Sequence, residues 1–369
     1  MNSTLLLYKI AIGMIPGIGS INAKKLVAYT GSIEGVFREK KANLIKIPGI
    51  GEVLAGEIVN NTVLKDAEKE ISFIEKFNIK TSFYLDDNYP ERLKQCADSP
   101  LILFIKGDVD LNSPKIISIV GTRKATDYGK NFCNKFIAQL AESKHNPIIV
   151  SGLAFGIDIA GHKAALKNKL NTIAVLGHGL KTIYPAVHSK YAKEIVNQGA
   201  LITEFTSDIL AERALFVRRN RIIAGLADAT IIIESGEKGG ALITADIANS
   251  YNRDVFALPG RIDDVMSKGC NKLIKTNKAF LLEGVEDLEY LLGWEQVEGK
   301  PHVIQRELFV NLTDEEKIIY QIICENNEIA IDVICSKTEM PVSKVSPILL
   351  NLEFAGLIRS LPGKIYKVV

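Results

Sequence analysis

Seven short apolar runs, separated by helical stretches, constrain the fold of this sequence more than any other feature. The candidate strands are Leu101–Lys106, Ile116–Val120, Pro147–Val150, Thr172–Leu176, Leu201–Glu204, Thr230–Ile233 and Asp254–Leu258. Helical stretches such as Tyr128–Glu142 and Leu242–Ser250 lie between them. Apolar strands that alternate with helices are typical of a parallel sheet covered on both faces. The sequence therefore predicts a Rossmann-like, mostly parallel α/β domain over residues 79–294.

Glycines follow many of the predicted strands, and they indicate where a ligand binds. They are Gly121, Gly152, Gly177, Gly236 and Gly260. In open α/β sheets, ligands bind beyond the carboxyl ends of the strands. The first of these turns reads Gly121-Thr122-Arg123-Lys124 and lacks the G-x-G-x-x-G pattern of dinucleotide sites, so no cofactor is predicted. Arg123 stands where a pyrophosphate would approach, which favours phosphate capture by a side chain.

The second turn opens a helix with two glycines and carries an aromatic residue between them. Its candidate binding residues are Ser151, Gly152, Phe155 and Gly156. Backbone N–H groups at a helix start bind anions, and Phe155 is suited to stacking on a base. Asp158 and His162 follow on one helix face without a third ligand, so we interpret them as a structural hydrogen-bonded pair, not a metal site.

Two further segments complete the candidate site. The first has three arginines and an asparagine just before an apolar helix: Arg218, Arg219, Asn220 and Arg221. The second begins with the glycine pair Gly239 and Gly240. A solvated, helix-capping charge cluster is the simpler reading of the arginines. Guanidinium groups beside glycine-rich strand ends favour phosphate binding. The sequence predicts no catalytic residue and no metal ligand.

An internal repeat precedes the α/β domain. Ile15-Pro16-Gly17-Ile18-Gly19 returns about 32 residues later as Ile47-Pro48-Gly49-Ile50-Gly51, each time followed by a helical stretch. Helix, tight glycine turn and helix are the elements of a helix-hairpin-helix, so residues 1–78 are predicted to be an all-α tandem of that motif. Such turns hold nucleic-acid phosphates or serve only as packing modules, and the sequence leaves both open.

A polar linker, residues 295–310, leads to a small C-terminal domain. Thr313 and Glu316 form a capping-box pattern, and three helices followed by a hairpin predict a winged helix over residues 311–369. Its third helix, Val342–Leu357, offers only Lys344 as a cation, and residues 295–369 carry eight basic and eleven acidic residues. Because phosphate neutralisation needs several cations, we favour a protein-contact role over duplex binding.

Composition limits the class of protein. Hydrophobic residues make up 47% and charged residues 24%, which is typical of a globular chain. The five cysteines are scattered and the sequence has neither a leader nor a membrane-spanning stretch, so a cytoplasmic protein without membrane contact is expected. The net charge of +2 requires any nucleic-acid site to be a local patch.

The order of these motifs resembles the DNA-processing protein A family (DprA, also called Smf) over essentially the whole chain. The shared segments include V-G-T-R at Val120, S-G-L-A-F-G-I-D at Ser151, R-R-N-R-I-I-A-G-L at Arg218 and G-G-A-L-I-T-A at Gly239. The resemblance implies a protein that binds and protects single-stranded DNA, dimerises through the Rossmann-like domain, and loads the RecA recombinase during natural transformation.

The resemblance also implies which residues hold the strand. They would be Arg123, the Ser151–Gly156 loop and the Arg219–Arg221 cluster, and family dimers use helices that correspond here to Leu242–Ser250 and Lys272–Thr276, with Met266, Leu273 and Ile274 as apolar candidates. Two positions depart from the family pattern. Val217 replaces a proline, and Ala186 stands where some members have a cation, a role that Lys181 or Lys190 could take over.

Two other classes of function compete with this hypothesis. A nucleotide phosphoribohydrolase of the cytokinin-activating LOG type has the same architecture but needs P-G-G-x-G-T-x-x-E. This chain reads Gly239-Gly240-Ala241-Leu242-Ile243-Thr244-Ala245-Asp246, without the middle glycine or the glutamate. A structural adaptor that binds no ligand is the third reading, and it leaves the cations near the glycine turns without a role.

Overall fold

The computed structural model describes residues 3–60, 62–143, 145–294, 312–326, 328–361 and 363–368. The predicted linker at 295–310 lies outside them. Internal contacts divide the chain into two compact units, Met1–Tyr251 with Val255–Leu281, and Asn252–Asp254 with Leu282–Val369. Within the described ranges, no helix is long and apolar enough to cross a membrane.

The first unit begins with six helices. They are α1 (Ser3–Met14), α2 (Ser20–Thr30), α3 (Ile33–Arg38), α4 (Lys41–Leu44), α5 (Glu52–Asn60) and α6 (Val63–Lys76). Each repeated Pro-Gly turn lies between two helices, as the sequence predicted, and Gly17 and Gly49 take positive φ angles of 75° and 90°. Each turn packs on the other copy of the repeat, since Gly17 approaches Leu54 and Gly49 approaches Asn22.

A nine-stranded sheet follows, and its central strands are parallel. The strands are β1 (Lys80–Phe83), β2 (Ile102–Gly107), β3 (Ile116–Val120), β4 (Ile148–Ser151), β5 (Thr172–Val175), β6 (Gly199–Thr203), β7 (Ala229–Ile232), β8 (Asp254–Ala257) and β9 (Phe280–Leu281). Their order is β1-β2-β6-β5-β4-β3-β7-β8-β9, with β1, β2 and β6 joined antiparallel. The mostly parallel α/β prediction is confirmed.

Helices connect the strands and cover the sheet. They are α7 (Glu91–Lys94), α8 (Asp127–Glu142), α9 (Ile157–Lys167), α10 (Ser189–Asn197), α11 (Arg213–Leu226), α12 (Gly240–Ser250) and α13 (Lys268–Lys275). Side chains alternate between the two faces of each strand, so Ala174 packs with α9 and α10 while Ile173 and Val175 pack with α7, α11, α12 and α13.

The apolar core is continuous between the N-terminal helices and the sheet. Buried Ile10, Leu26 and Ile58 of the helices belong to one cluster with Phe104 and Leu201 of the sheet. Polar contacts strengthen the junction, because the carboxylate of Glu70 on α6 accepts hydrogen bonds from the Ser207 backbone N–H at 3.0 Å and from its hydroxyl at 2.6 Å. The proposed boundary at residue 78 therefore crosses a packed interior.

The second unit contains a winged helix, as the sequence predicted. After α14 (Val285–Leu292) come α15 (Asp314–Asn326), β10 (Glu328–Ala330), α16 (Ile331–Thr338), α17 (Val342–Phe354), β11 (Ile358–Leu361) and β12 (Ile365–Val368). Thr313 and Glu316 form the expected capping box. Ile329 lies in β10, where it pairs with Tyr366 of the wing.

Candidate functional site

A cleft of about 730 Å³ opens where the strand order reverses. From β3 the chain proceeds to β4 on one side, whereas from β7 it proceeds to β8 on the other. The loops that follow β3 and β7 therefore diverge and leave a crevice, the usual ligand position in open α/β sheets. Gly121–Arg123 forms one wall, Ser235–Gly240 forms the opposite wall, and α11 lies along the side.

Two guanidinium groups flank one aromatic ring in this cleft. The Arg123 guanidinium carbon lies 5.7 Å from the centre of the Phe216 ring, and that of Arg219 lies 5.8 Å from it. Arg123 is exposed, whereas Arg219 is 3% exposed. Tyr184 adds a second ring 5.6 Å from Phe216. Cations beside a pair of tilted aromatic rings suit a ligand with both negative charge and an aromatic face.

A hydrogen bond and close packing fix the side chain of Arg219. Its Nη1 donates to the Val175 carbonyl oxygen at 2.5 Å, and its head fills the space above Gly152, where a Cβ would collide with it. Burial lowers the pKa of Arg219 to about 10, so the group stays charged at neutral pH. Its Nε has no hydrogen-bond partner among the described residues. This N–H of a charged side chain in the cleft wall is therefore buried without a partner among the described residues.

Asp158 lines the cleft beside these arginines. Burial raises the pKa of its carboxyl group, while Arg219 and Arg123 oppose that rise. The interpretation of Asp158 and His162 as a hydrogen-bonded pair is wrong. His162 Nδ1 lies 2.7 Å from the Thr172 hydroxyl, and burial lowers the pKa of His162 to about 3. No group of three metal-binding side chains occurs among the residues that the structure describes.

The Ser151–Gly156 loop follows a strained path against the Gly121–Lys124 turn. Leu153 and Gly156 have positive φ angles of 61° and 78°, and a Cβ on Gly156 would collide with the Thr122 carbonyl oxygen. Ser151 is buried and donates to the Ile119 carbonyl oxygen at 2.6 Å, so its hydroxyl serves the fold. Phe155 is 47% exposed and presents its ring at the rim.

A buried glutamate fixes the turn that carries Arg123. Glu234, with a φ of 77°, accepts a hydrogen bond from the Thr126 backbone N–H at 2.8 Å and another from the Thr126 hydroxyl. Its own carbonyl oxygen accepts from the Thr122 N–H at 2.8 Å. The Thr122 hydroxyl in turn accepts from the Lys124 N–H at 3.2 Å. Glu234 therefore positions the first turn of α8 and the loop before it.

The start of α12 forms the remaining wall. Gly239 is its N-cap, and no side chain caps the helix. The first backbone N–H groups of an α-helix lack internal partners and carry partial positive charge, which favours an anion. Gly239, Gly240 and Asn220 all line the cleft, and Asn220 Nδ2 lies 3.4 Å from the Gly240 carbonyl oxygen.

The four polar residues predicted to precede a helix lie inside α11, and that part of the prediction is wrong. Successive helical residues turn by about 100°, so their side chains separate. Arg218 and Arg221 both point to Glu204, at 2.7 Å and 2.5 Å, and line a second depression of about 350 Å³ with residues 19–22. Only Arg219 and Asn220 reach the cleft.

Lys181 and Lys124 lie at the surface. Lys181 Nζ donates to Asp208 at 2.6 Å and does not belong to the cleft wall, and Lys124 is exposed beside Arg123. The sequence reasoning missed Arg213, Phe216 and Lys238, which line the cleft. The observed helix α11 begins at Arg213, earlier than the sequence predicted, and therefore includes both Arg213 and Phe216. Phe216 stands three residues before Arg219, a spacing that places two side chains on neighbouring parts of a helix surface.

These features define a class, that of Rossmann-like ligand-binding proteins with a cationic cleft at the switch point. More particularly, the chain belongs to the family of DNA recombination-mediator protein A, whose family model matches residues 80–292. A second model, the DprA winged helix domain, matches residues 310–364. Protein Smf of Synechocystis is 30% identical over 98% of both chains.

Two solved structures resemble the chain. DNA processing protein A (DprA) from Streptococcus pneumoniae has a TM-score of 0.65 and 32% identity, over 77% of this chain and 97% of that one. DNA processing protein A from Helicobacter pylori has a TM-score of 0.54 and 30% identity, over 60% and 98%. The latter structure concerns that protein's single-stranded DNA binding mode.

Proposed function

We propose that the cleft binds single-stranded DNA without sequence preference. The observation that carries this proposal is the arrangement of Arg123 and Arg219 on one ring, Phe216, opposite the uncapped start of α12. Guanidinium groups and helix N-termini recognise phosphate, and an exposed ring such as that of Phe155 stacks on any base. The Helicobacter pylori relative, with its single-stranded DNA binding mode, supports the same assignment.

The electrostatics of the cleft favour an anion despite its acidic residues. Asp246 is bound by Lys278 at 2.8 Å, Glu237 lies 4.0 Å from Lys268, and Asp158 is buried beside Arg219. Among the described residues, no carboxylate forms an ion pair with the exposed cations Arg123, Arg213 and Lys238. A phosphate entering the cleft therefore meets positive charge that the protein itself does not neutralise.

The predicted residues take different parts in this proposal. Arg123, Arg219, Asn220, Gly239 and Gly240 contact phosphate, and the backbone of Gly121, Thr122 and Gly152 shapes the floor. Phe155 stacks on a base at the rim, and the Phe216 ring contacts the strand inside the cleft. Ser151 holds the scaffold through the Ile119 carbonyl oxygen, and Arg218 and Arg221 hold it through the Glu204 carboxylate. Lys124 and Lys181 add charge at the surface.

We propose that the cleft performs no chemistry on the strand. A glycosidase-type mechanism needs two carboxyl groups that are free to act on the substrate. Asp246 occupies the position where a phosphoribohydrolase has its glutamate, but Lys278 binds it, and Asp158 is buried beside the arginines. These contacts support binding over catalysis.

We infer that a homodimer presents the strand to a recombinase of the RecA class. The matched family is that of a recombination mediator, which supports the recombinase as partner. Of the three apolar candidates for the dimer face, Leu273 lies in the core, and Ile274 and Met266 are half-buried. Ile243, on the candidate helix α12, is 41% exposed. Ile262 and Val265, on the loop after β8, are more exposed still.

Fluorescence anisotropy with a labelled oligo-dT and a duplex of equal length tests the binding proposal. Arg213→Gln should weaken oligo-dT binding about tenfold, because one charge-assisted contact contributes about 1.5 kcal/mol. Lys94→Gln on α7 is the matched control and should bind like the unaltered protein. Tighter binding to the duplex, or equal loss in both variants, would contradict the proposal.

A further inference from the structure

A second concentration of positive charge lies on the helical layer beside the cleft. α9 and α10 contact each other, and they carry four exposed lysines, Lys163, Lys167, Lys190 and Lys193, around Tyr191. We call these five residues the basic seam. Residues 157–198 contain six lysines and two acidic residues, a net charge of +4, whereas the whole chain carries +2. The seam is therefore a local patch on a nearly neutral protein.

The charge of the seam is little neutralised by the protein. Within the described ranges no ion pair joins Lys163, Lys167 or Lys193 to a carboxylate. Lys190 lies 4.0 Å from Glu194, and the Lys190 side chain is 81% exposed. Of the two acidic residues in the segment, Asp158 is buried in the cleft and faces the arginines there. The seam therefore presents lysines that are available to an anionic partner.

An aromatic ring lies among these cations. Lys163 Nζ is 4.5 Å from the centre of the Tyr191 ring, across the junction of α9 and α10. Lys167 stands one helical turn beyond Lys163, about 6 Å along the axis. Proteins that bind single strands without sequence preference combine lysines that follow the backbone with rings on which bases stack. An acidic protein segment would use the lysines but not the ring.

A series of contacts connects the seam to the cleft. His188 is the N-cap of α10, two residues before Lys190, and its Nδ1 lies 2.8 Å from the Leu153 carbonyl oxygen. Its ring meets the exposed Phe155 ring edge-on, with the ring centres 5.0 Å apart. Leu153 and Phe155 belong to the loop that packs on Thr122 and Arg123. A strand that leaves the cleft past Phe155 therefore arrives at the first turn of α10.

We propose that the basic seam binds the phosphates of nucleotides that extend beyond the cleft. This inference rests on the proposed single-strand function of the cleft and adds to it a second, sequence-independent segment of the binding path. The cleft holds the first nucleotides, Phe155 marks the exit, and the lysines of α9 and α10 bind the following part of the backbone. A longer strand gains contacts that a short one cannot make.

Salt dependence and strand length together test the inference. On single strands each phosphate contact contributes about 0.7 to the slope of log affinity against log salt. Lys163→Gln/Lys193→Gln should therefore lower the slope by about 1.4 for an oligo-dT of about 16 nucleotides and leave it unchanged for one of about 4. Lys94→Gln/Lys275→Gln, on helices that pack against the other face of the sheet, makes the same charge change and should alter neither slope.

The outcomes separate the two proposals. If the unaltered protein binds neither oligonucleotide, the single-strand function fails, and the seam fails with it. If the unaltered protein binds both oligonucleotides and the seam variant keeps the slope of the control variant at both lengths, the cleft proposal stands and the seam proposal is overturned. That second result would leave an acidic protein as the partner of the lysines. Unchanged melting temperatures would show that both variants keep the fold.

Discussion

Replacing Arg219 by alanine should weaken the fold itself, because the residue is buried and not solvated. The change removes the hydrogen bond that the guanidinium donates to the Val175 carbonyl oxygen, and a hydrogen bond from a charged donor contributes about 1.5–3 kcal/mol to stability. It also empties the space above Gly152. The substitution also removes the stronger of the two positive charges, Arg219 and Arg123, that act on the Asp158 carboxylate. We expect Arg219→Ala to lower the free energy of unfolding by about 3 kcal/mol or more. For a unit of this size that corresponds to roughly 6–12 °C in melting temperature.

The pH dependence identifies the cause of this loss. Burial raises the pKa of Asp158 and Arg219 lowers it, so the carboxyl pKa rises further when Arg219 is removed. A carboxyl group whose folded pKa exceeds the unfolded value costs stability as pH rises through the folded pKa, and that cost disappears once the group is protonated in both states. The destabilisation should therefore shrink as pH falls from 7 toward 4.

Calorimetry of four proteins measures both effects: the unaltered chain, Arg219→Ala, Asp158→Asn and the double variant. We expect the double variant to be less destabilised than the sum of the single changes, because the two groups act on each other. A drop of less than about 2 °C for Arg219→Ala would refute the reasoning. It would instead support the simpler reading of the arginines as a solvated charge cluster, in which Arg219 contributes little to the stability of the fold.

Three further outcomes follow from the structure. Arg123→Ala should weaken oligo-dT binding by about 1–3 kcal/mol in titration calorimetry, with an unchanged melting temperature because Arg123 is exposed; unfolding with retained affinity would contradict its role. Removing residues 312–369 should change single-strand affinity less than about threefold, since Lys344, the cation of α17, is bound by Glu315 at 2.5 Å; abolished binding would contradict this. Affinity should rise in a step when the strand reaches both clefts of a dimer, and a smooth rise with a monomeric mass by light scattering would exclude the dimer.

The apolar strands could be predicted from sequence because each is buried on both faces. Ile116–Val120 was predicted with the observed bounds, since all five of its residues are buried. The strand Lys80–Phe83 was not predicted, because its sequence has no apolar run. It lies at the edge of the sheet and pairs with β2 alone. The two-residue β9 is too short for any periodic signal.

The candidate site was predicted in part, and the error has a physical cause. Glycine turns with cations at strand ends identified Arg123 and the wall at Gly239, because the topology brings strand ends together. The arginine cluster appeared as one group in the sequence, but inside α11 its members separate, and Arg221 turns to Glu204 instead. Glu234 carried no local signal, since its partner Thr126 is 108 residues away.

The central claim is that a single strand occupies the cleft between the β3 and β7 loops. Photocrosslinking with oligo-dT that carries 4-thiothymidine, followed by mass spectrometry of the linked peptides, tests it directly. We expect crosslinks at Phe216 and Phe155, the aromatic side chains of the cleft and its rim, with their yield reduced in Arg123→Ala. Crosslinks confined to the turns at residues 15–19 and 47–51, or to the winged helix, would contradict it.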